Sequence, residues 1–124
     1  MPRYNSQLVQ SYMEFAALIT QSSTNATTLS LIKNDIGNYT LARSAQGVYT
    51  ITFATGNIPA GTLFFISDNT TGLNKLKIAR TSSSVITITT SAVTITMPPD
   101  GSIVLTNTDA ILSSTPIYFR VPLV

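Results

Sequence analysis

Residues 81 to 99 read Thr-Ser-Ser-Ser-Val-Ile-Thr-Ile-Thr-Thr-Ser-Ala-Val-Thr-Ile-Thr-Met-Pro-Pro, without one charged side chain. Ile86 and Ile88 alternate with Thr87 and Thr89, and Val93, Ile95 and Met97 alternate with Thr94 and Thr96. A period of two is the signature of a β-strand with one face buried and one face short and polar. Thr90-Ser91-Ala92 lies between the two halves and predicts a tight reversal, so the stretch reads as a hairpin. A β-face tiled with Thr in place of Lys and Glu lacks the charge that usually guards strand edges and keeps a lone chain soluble. The reading therefore expects a neighbouring subunit against Thr87, Thr89, Thr94 and Thr96, with a plainly solvated hydroxyl face as the alternative.

The same periodicity extends outward in both directions. Upstream, Glu14 to Gln21 reads as a strand, with a short helix over Met13–Leu18 as its competitor. Thr28–Lys33 alternates, Asn34-Asp-Ile-Gly37 is a turn, and Tyr39–Arg43 with Val48–Ala54 predicts a hairpin around Ser44-Ala-Gln-Gly47. Thr62–Ser67, with its run Leu63-Phe-Phe-Ile66, predicts a strand buried on both faces. Leu73–Arg80 alternates, with Lys75 and Lys77 on one side. Downstream, Pro98-Pro-Asp-Gly101 is a strong turn signal. Ile103–Thr106 is a strand. Thr115–Val121 closes the chain, with Ile117, Phe119 and Val121 inward and Tyr118 and Arg120 outward. About eight to ten strands spaced this closely, with no helical pattern between them, specify a single-domain antiparallel β-sandwich of jelly-roll-like type. That domain covers residues 13–124. Residues 1–12 are more polar and read as an extended N-terminal arm, a candidate anchor, with a frayed terminus as the alternative.

Composition narrows the classes of function. The 124 residues carry 10% charge and 44% hydrophobic residues, with 20 Thr and 14 Ser, so hydroxyls do much of the solubilising that charge does elsewhere. The net charge of +2 comes from a few bases over fewer acids. Lys75, Lys77 and Arg80 are the densest basic cluster, too narrow and too poor in aromatic neighbours for nucleic-acid binding. The chain contains no His, Cys or Trp. That removes the commonest general base, every His-dependent triad and both imidazole and thiolate metal ligands. Four of the five acids, Asp35, Asp68, Asp100 and Asp109, stand in turn contexts that suit backbone capping. Asp68-Asn69 and Asn107-Thr-Asp109 offer oxygens, but their spacing matches no calcium loop. The sequons at Asn25, Asn38 and Asn69 are as frequent as chance allows in so Thr-rich a chain. No catalytic residue, cofactor or metal is expected. With no apolar leader and no membrane-length apolar run, the expectation is a product made and kept in a cytoplasm, or one that leaves by a route other than the signal-peptide pathway. Tyr39 and Tyr118 are the exposed aromatic candidates for a ligand contact, carbohydrate above all.

Phe15-Ala-Ala-Leu-Ile-Thr-Gln-Ser-Ser-Thr-Asn-Ala26, Asn34-Asp-Ile-Gly37, Gly47-Val-Tyr-Thr-Ile-Thr-Phe53 and Ile117-Tyr-Phe-Arg-Val121 together resemble a group of small all-β proteins of tailed phages and prophages. These come mainly from phages of Bacteroidetes, including relatives of the crAss-like group. The resemblance spans most of residues 13–122. The family pattern carries a Trp in the strand after the Gly turn, near where Tyr39 or Leu41 stands here. The resemblance implies a non-enzymatic virion structural protein, such as a capsid decoration, head-fibre or tail component. It implies a homo-oligomer, with a trimer favoured, lodged in the virion beside proteins such as the major capsid protein, with no nucleic acid or membrane partner. A carbohydrate-binding or adhesion module is the alternative.

Overall fold

The computed structural model describes residues 12–54, 56, 58–68, 73–95, 101 and 103–122. They form β1 (Tyr12–Thr20), β2 (Thr28–Asn34), β3 (Tyr39–Ala45), β4 (Val48–Phe53), β5 (Leu63–Ile66), β6 (Asn74–Arg80), β7 (Val85–Ile95), β8 (Ile103–Asn107) and β9 (Thr115–Pro122). Two sheets result. Sheet A has the order β2-β1-β9-β5, and sheet B has β3-β4-β7-β6 with β8 also paired to β7. Every strand pair is antiparallel. The chain is the all-β sandwich that the alternating sequence predicts, and no helix competes at Met13–Leu18.

The inward positions follow the period of two. Phe15, Ala17 and Ile19 of β1 and Thr115, Ile117, Phe119 and Val121 of β9 are buried from one side. Tyr49, Ile51 and Phe53 of β4 and Ile86 and Ile88 of β7 meet them from the other. Aromatic rings join the layers at the centre. Phe15 stacks on Phe119 with centroids 4.9 Å apart and takes the edge of Phe53 at 5.5 Å. Tyr39 and Phe64 add edge contacts to Phe15 and Phe119. Such edge-to-face and offset pairs contribute roughly 0.5–1.5 kcal/mol each beyond the area they bury. Ile36, Ile58 and Leu112 lie outside the strands and are buried in the same core.

Two strands depart from the sequence reading. β5 is an edge strand rather than a doubly buried one. It pairs with β9 alone, and Leu63 and Phe65 are more than half exposed. Its run of four apolar residues reads as interior, yet an edge position leaves one face open. The larger correction concerns β7. There is no reversal at Thr90-Ser91-Ala92; β7 is one strand of 11 residues. β6 pairs along one edge of it without a register shift from Ile86 to Ala92, and along the other edge β8 follows β4, pairing from Ser91 to Ile95. None of Thr90, Ser91 and Ala92 is a Gly or Asn that relieves a tight turn, and β-branched Thr favours extension. Continuity separates the two halves of the Thr pattern. Thr87 and Thr89 face outward from sheet B, whereas Thr94 has the parity of Ile86 and Ile88 and so belongs to the opposite face. Thr96, the Pro98–Gly101 turn apart from Gly101, and the N-terminal arm up to residue 11 lie outside the described residues. Tyr12 is already part of β1.

β4 and β8 share one edge of β7, and Gly47 sits at their junction. Its φ is +69°, and a Cβ there would come within 2.6 Å of the Thr108 amide nitrogen and the Thr90 carbonyl oxygen. Both neighbours are backbone, so neither can give way. Gly47→Ala is expected to cost at least about 2 kcal/mol of stability; chemical denaturation checks this, and an unchanged midpoint would contradict the junction as described.

Candidate interaction surfaces

Three surfaces follow from this architecture: the junction between β4 and β8, the outer face of sheet B, and the outer face of sheet A.

Asp109 holds the junction. Its carboxylate accepts from Arg43 Nη2 at 2.7 Å and Nε at 3.2 Å, from the Tyr49 hydroxyl at 2.6 Å, and from the Gly47 amide at 2.9 Å. Thr90 ties the third strand in. Its amide donates to Gly47 O at 2.8 Å, its carbonyl accepts from the Thr108 amide at 3.0 Å, and its hydroxyl donates to Thr108 O at 2.6 Å. The guanidinium of Arg43, then the Tyr49 hydroxyl and the Gly47 amide, hold the Asp109 carboxyl well below the usual carboxylate range. Burial, and then the same carboxylate, push the Tyr49 phenol up. With its oxygens committed in this way, Asp109 reads as a structural staple. The oxygens of Asn107-Thr-Asp109 serve strand splicing, where Ser91 Oγ also donates to Asn107 Oδ1.

The outer face of sheet B carries the Thr surface. Registers place Thr50 opposite Thr87 and Thr52 opposite Val85 on β4, and Lys75 opposite Ser91 and Lys77 opposite Thr89 on β6. Thr40 and Ala42 continue the row on β3. Thr81 and Thr87 exchange a hydroxyl hydrogen bond at 3.1 Å. Lys75 and Lys77 are exposed on this face, whereas Arg80 points the other way in parity and donates to the Ile58 carbonyl at 2.7 Å. The predicted basic cluster is therefore split.

β6 pairs with β7 as far as Ala92, and the Leu73 carbonyl accepts from the Val93 amide; beyond that, among the described residues, β7 and β8 continue as a two-stranded arm. All five β8 residues are exposed. Ile103 is 68% exposed, Val104 45% and Leu105 49%, and these three belong to both faces of the strand. Leu73, whose carbonyl accepts from the Val93 amide, adds a fourth apolar side chain at 63%. β8 itself contains neither a charged residue nor Pro, and among the described strands it pairs with β7 alone.

The outer face of sheet A is aromatic and charged. Tyr118 and Arg120 of β9 stand between Ala16 and Glu14 of β1 and Phe65 and Leu63 of β5. The Arg120 guanidinium carbon lies 4.4 Å from the Tyr12 ring centroid and 5.8 Å from that of Tyr118, and Phe65 tilts against Tyr118 at 6.0 Å. Tyr118 donates its hydroxyl to Glu14 Oε2, Arg120 Nε donates to that hydroxyl, and Lys33 donates to Glu14 Oε1 at 2.9 Å. These contacts, Tyr118 first and Lys33 next, pull the Glu14 carboxyl below its ordinary value. The two tyrosines singled out by sequence are not brought together. Tyr118 is part of this face, while Tyr39 lies on the inward side of β3 with its ring against Phe15 and Phe53.

Comparison with protein families, with curated proteins and with solved structures finds no match for this chain. The geometry defines a β-sandwich with a hydroxyl-rich face that carries Lys75 and Lys77, a projecting arm with an exposed apolar strand, and an aromatic face.

Asp109 and Glu14 fix the acid limb of stability. A carboxylate whose folded pKa lies below its unfolded value of about 4 adds stability above that pH, and the contribution is lost as pH falls through the folded pKa. The thermal midpoint is expected to drop progressively below about pH 4. Asp109→Asn should lower the midpoint at neutral pH and flatten its acid slope; an unchanged slope would contradict the role given to Asp109.

Proposed function

We propose that this chain is a non-enzymatic virion structural protein, a capsid decoration or head-fibre component that works by self-assembly. The observation that carries the reading is the β7–β8 arm. It presents Ile103, Val104 and Leu105 to solvent on the β8 edge, with the exposed Leu73 on the β6 side of β7, and an exposed apolar strand edge is the usual mark of a surface meant for pairing. The reading also accords with the resemblance expected from the sequence, with the Thr rows on sheet B and with a chain that contains no His or Cys.

Magnitudes favour an assembly with several contacts over a single pair. Burying the exposed part of these four side chains yields roughly 1 kcal/mol each. A micromolar dimer needs about 8 kcal/mol net, after the cost of association. One arm contact is thus weak alone and effective where each copy makes two or more. A closed ring such as a trimer, or a particle surface provided by a partner such as the major capsid protein, meets that requirement.

The test is the mass of the full chain in solution by light scattering, for the native protein and for the double variant Ile103→Asp, Leu105→Asp. The native chain is expected to form an oligomer. The variant should be monomeric, with a thermal midpoint close to the native one, because neither residue belongs to the core. A native chain that stays monomeric and does not bind phage particles would overturn the reading, as would an oligomer that the double variant leaves intact. A carbohydrate-binding or adhesion role is the second reading, favoured by the aromatic face of sheet A.

A further inference from the structure

The outer face of sheet A has features that strand edges and hydroxyl rows do not explain. Tyr12, Arg120, Tyr118 and Phe65 form one continuous row across β1, β9 and β5, each in ring or cation–π contact with the next. Phe65 is 58% exposed and Leu63 53%, so the row is open to solvent at its β5 end. There it borders a depression of about 290 Å³ lined by Phe65, Ile66, Ser67, Pro116, Ile117 and Tyr118. That volume lies at the small end of ligand-sized pockets, and the lining is mostly apolar with a few polar groups at hand.

The polar groups of the row are fixed before any ligand arrives. Glu14 is held through both oxygens, by Lys33 and by the Tyr118 hydroxyl, and that hydroxyl also accepts from Arg120 Nε. Asp35 Oδ2 lies 3.5 Å from Lys33 Nζ and accepts from the Glu14 amide at 3.0 Å. The arginine uses one of its five N–H donors in this network. The face therefore combines apolar rings with oriented donors and acceptors that lose little freedom on binding.

Charge decides the class of ligand. Among the described residues Lys33 and Arg120 are balanced by Glu14 and Asp35, so the described face carries no net charge. A nucleic acid, an acidic glycan or an anionic headgroup would meet two carboxylates, and a cationic segment would meet two bases. A neutral ligand with an apolar face and a rim of hydroxyls fits. Its C–H face packs on the rings, and its hydroxyls reach the carboxylate, guanidinium and phenol. We propose that the Tyr12–Arg120–Tyr118–Phe65 row is a platform for a neutral oligosaccharide. The proposal is independent of assembly through the arm, because the row lies on sheet A and the arm grows from sheet B.

The experiment is a chemical-shift titration of the full chain with cellopentaose, xylopentaose, mannopentaose and chitopentaose, with pentagalacturonate as the acidic comparison. At least one neutral sugar should shift resonances of Phe65, Tyr118 and Arg120 below about 10 mM. Tyr118→Ala and Phe65→Ala should each weaken that binding by about tenfold or more. Thr87→Ala, on the other sheet, should leave it unchanged. Amide spectra that keep their dispersion in each variant separate lost binding from lost fold. The proposal is overturned if no neutral sugar shifts these residues at that concentration. It is also overturned if pentagalacturonate binds more tightly than every neutral sugar, or if the only shifts at this face follow protein concentration, which would mark a protein contact instead.

Discussion

The fold depends on one splice. At Thr90 a single strand edge passes from β4 to β8, and the backbone of Gly47 and Thr108 closes on Thr90 from either side. Gly47 is the only residue type with room for this approach, given its positive φ and the backbone atoms around it. Asp109 then binds the start of β4 and the end of β3 through Gly47, Tyr49 and Arg43. Because the splice leaves no gap, β7 runs without a break from the aromatic core to the exposed arm. The rigid core and the proposed contact surface are thereby parts of one strand.

This continuity separates three kinds of surface that composition alone blends together. The inward side of the sheets is ordinary core, centred on Phe15, Phe53 and Phe119. The outward side of sheet B is rich in short hydroxyl side chains beside Lys75 and Lys77, and it ends in an arm whose β8 strand is exposed on both faces. The outward side of sheet A is a paired-charge aromatic row. Thr-rich strands with little charge solubilise a surface weakly, and they leave it cheap to cover, since few strongly hydrated groups must be stripped. The distribution therefore suits a protein whose work is contact.

The strands were legible because their periodicity is strict. In β9 the alternation of Ile117, Phe119 and Val121 with Tyr118 and Arg120 is borne out residue by residue. The Asn34–Gly37 turn is also as read, with Asn34 Oδ1 accepting from the Ile36 and Gly37 amides. What the sequence hid were relations between distant segments. Arg43 and Asp109 stand 66 positions apart, and neither sits in a motif. Gln21, polar and unremarkable in the chain, is buried at the end of β1, where its side chain binds the carbonyls of Ser23 and Asn25 and accepts from the Ala110 amide. The Thr81–Pro99 run misled for a physical reason. Its apolar residues shift from even to odd positions around Thr90, which looks like a turn. In the structure the strand continues, and what changes is its surroundings, from a two-layer core to an open arm. Phe65 escaped notice because Leu63-Phe-Phe-Ile66 has no polar residue to reveal an edge.

A chain without cysteine offers a direct test of assembly through the arm. Leu105→Cys on β8 and Thr50→Cys on the outer face of sheet B can each be exposed to a mild oxidant in the otherwise native chain. Self-pairing of arms predicts rapid disulfide-linked dimers from Leu105→Cys and only slow ones from Thr50→Cys. Equal rates at the two positions, at the pace of random collision, would contradict it.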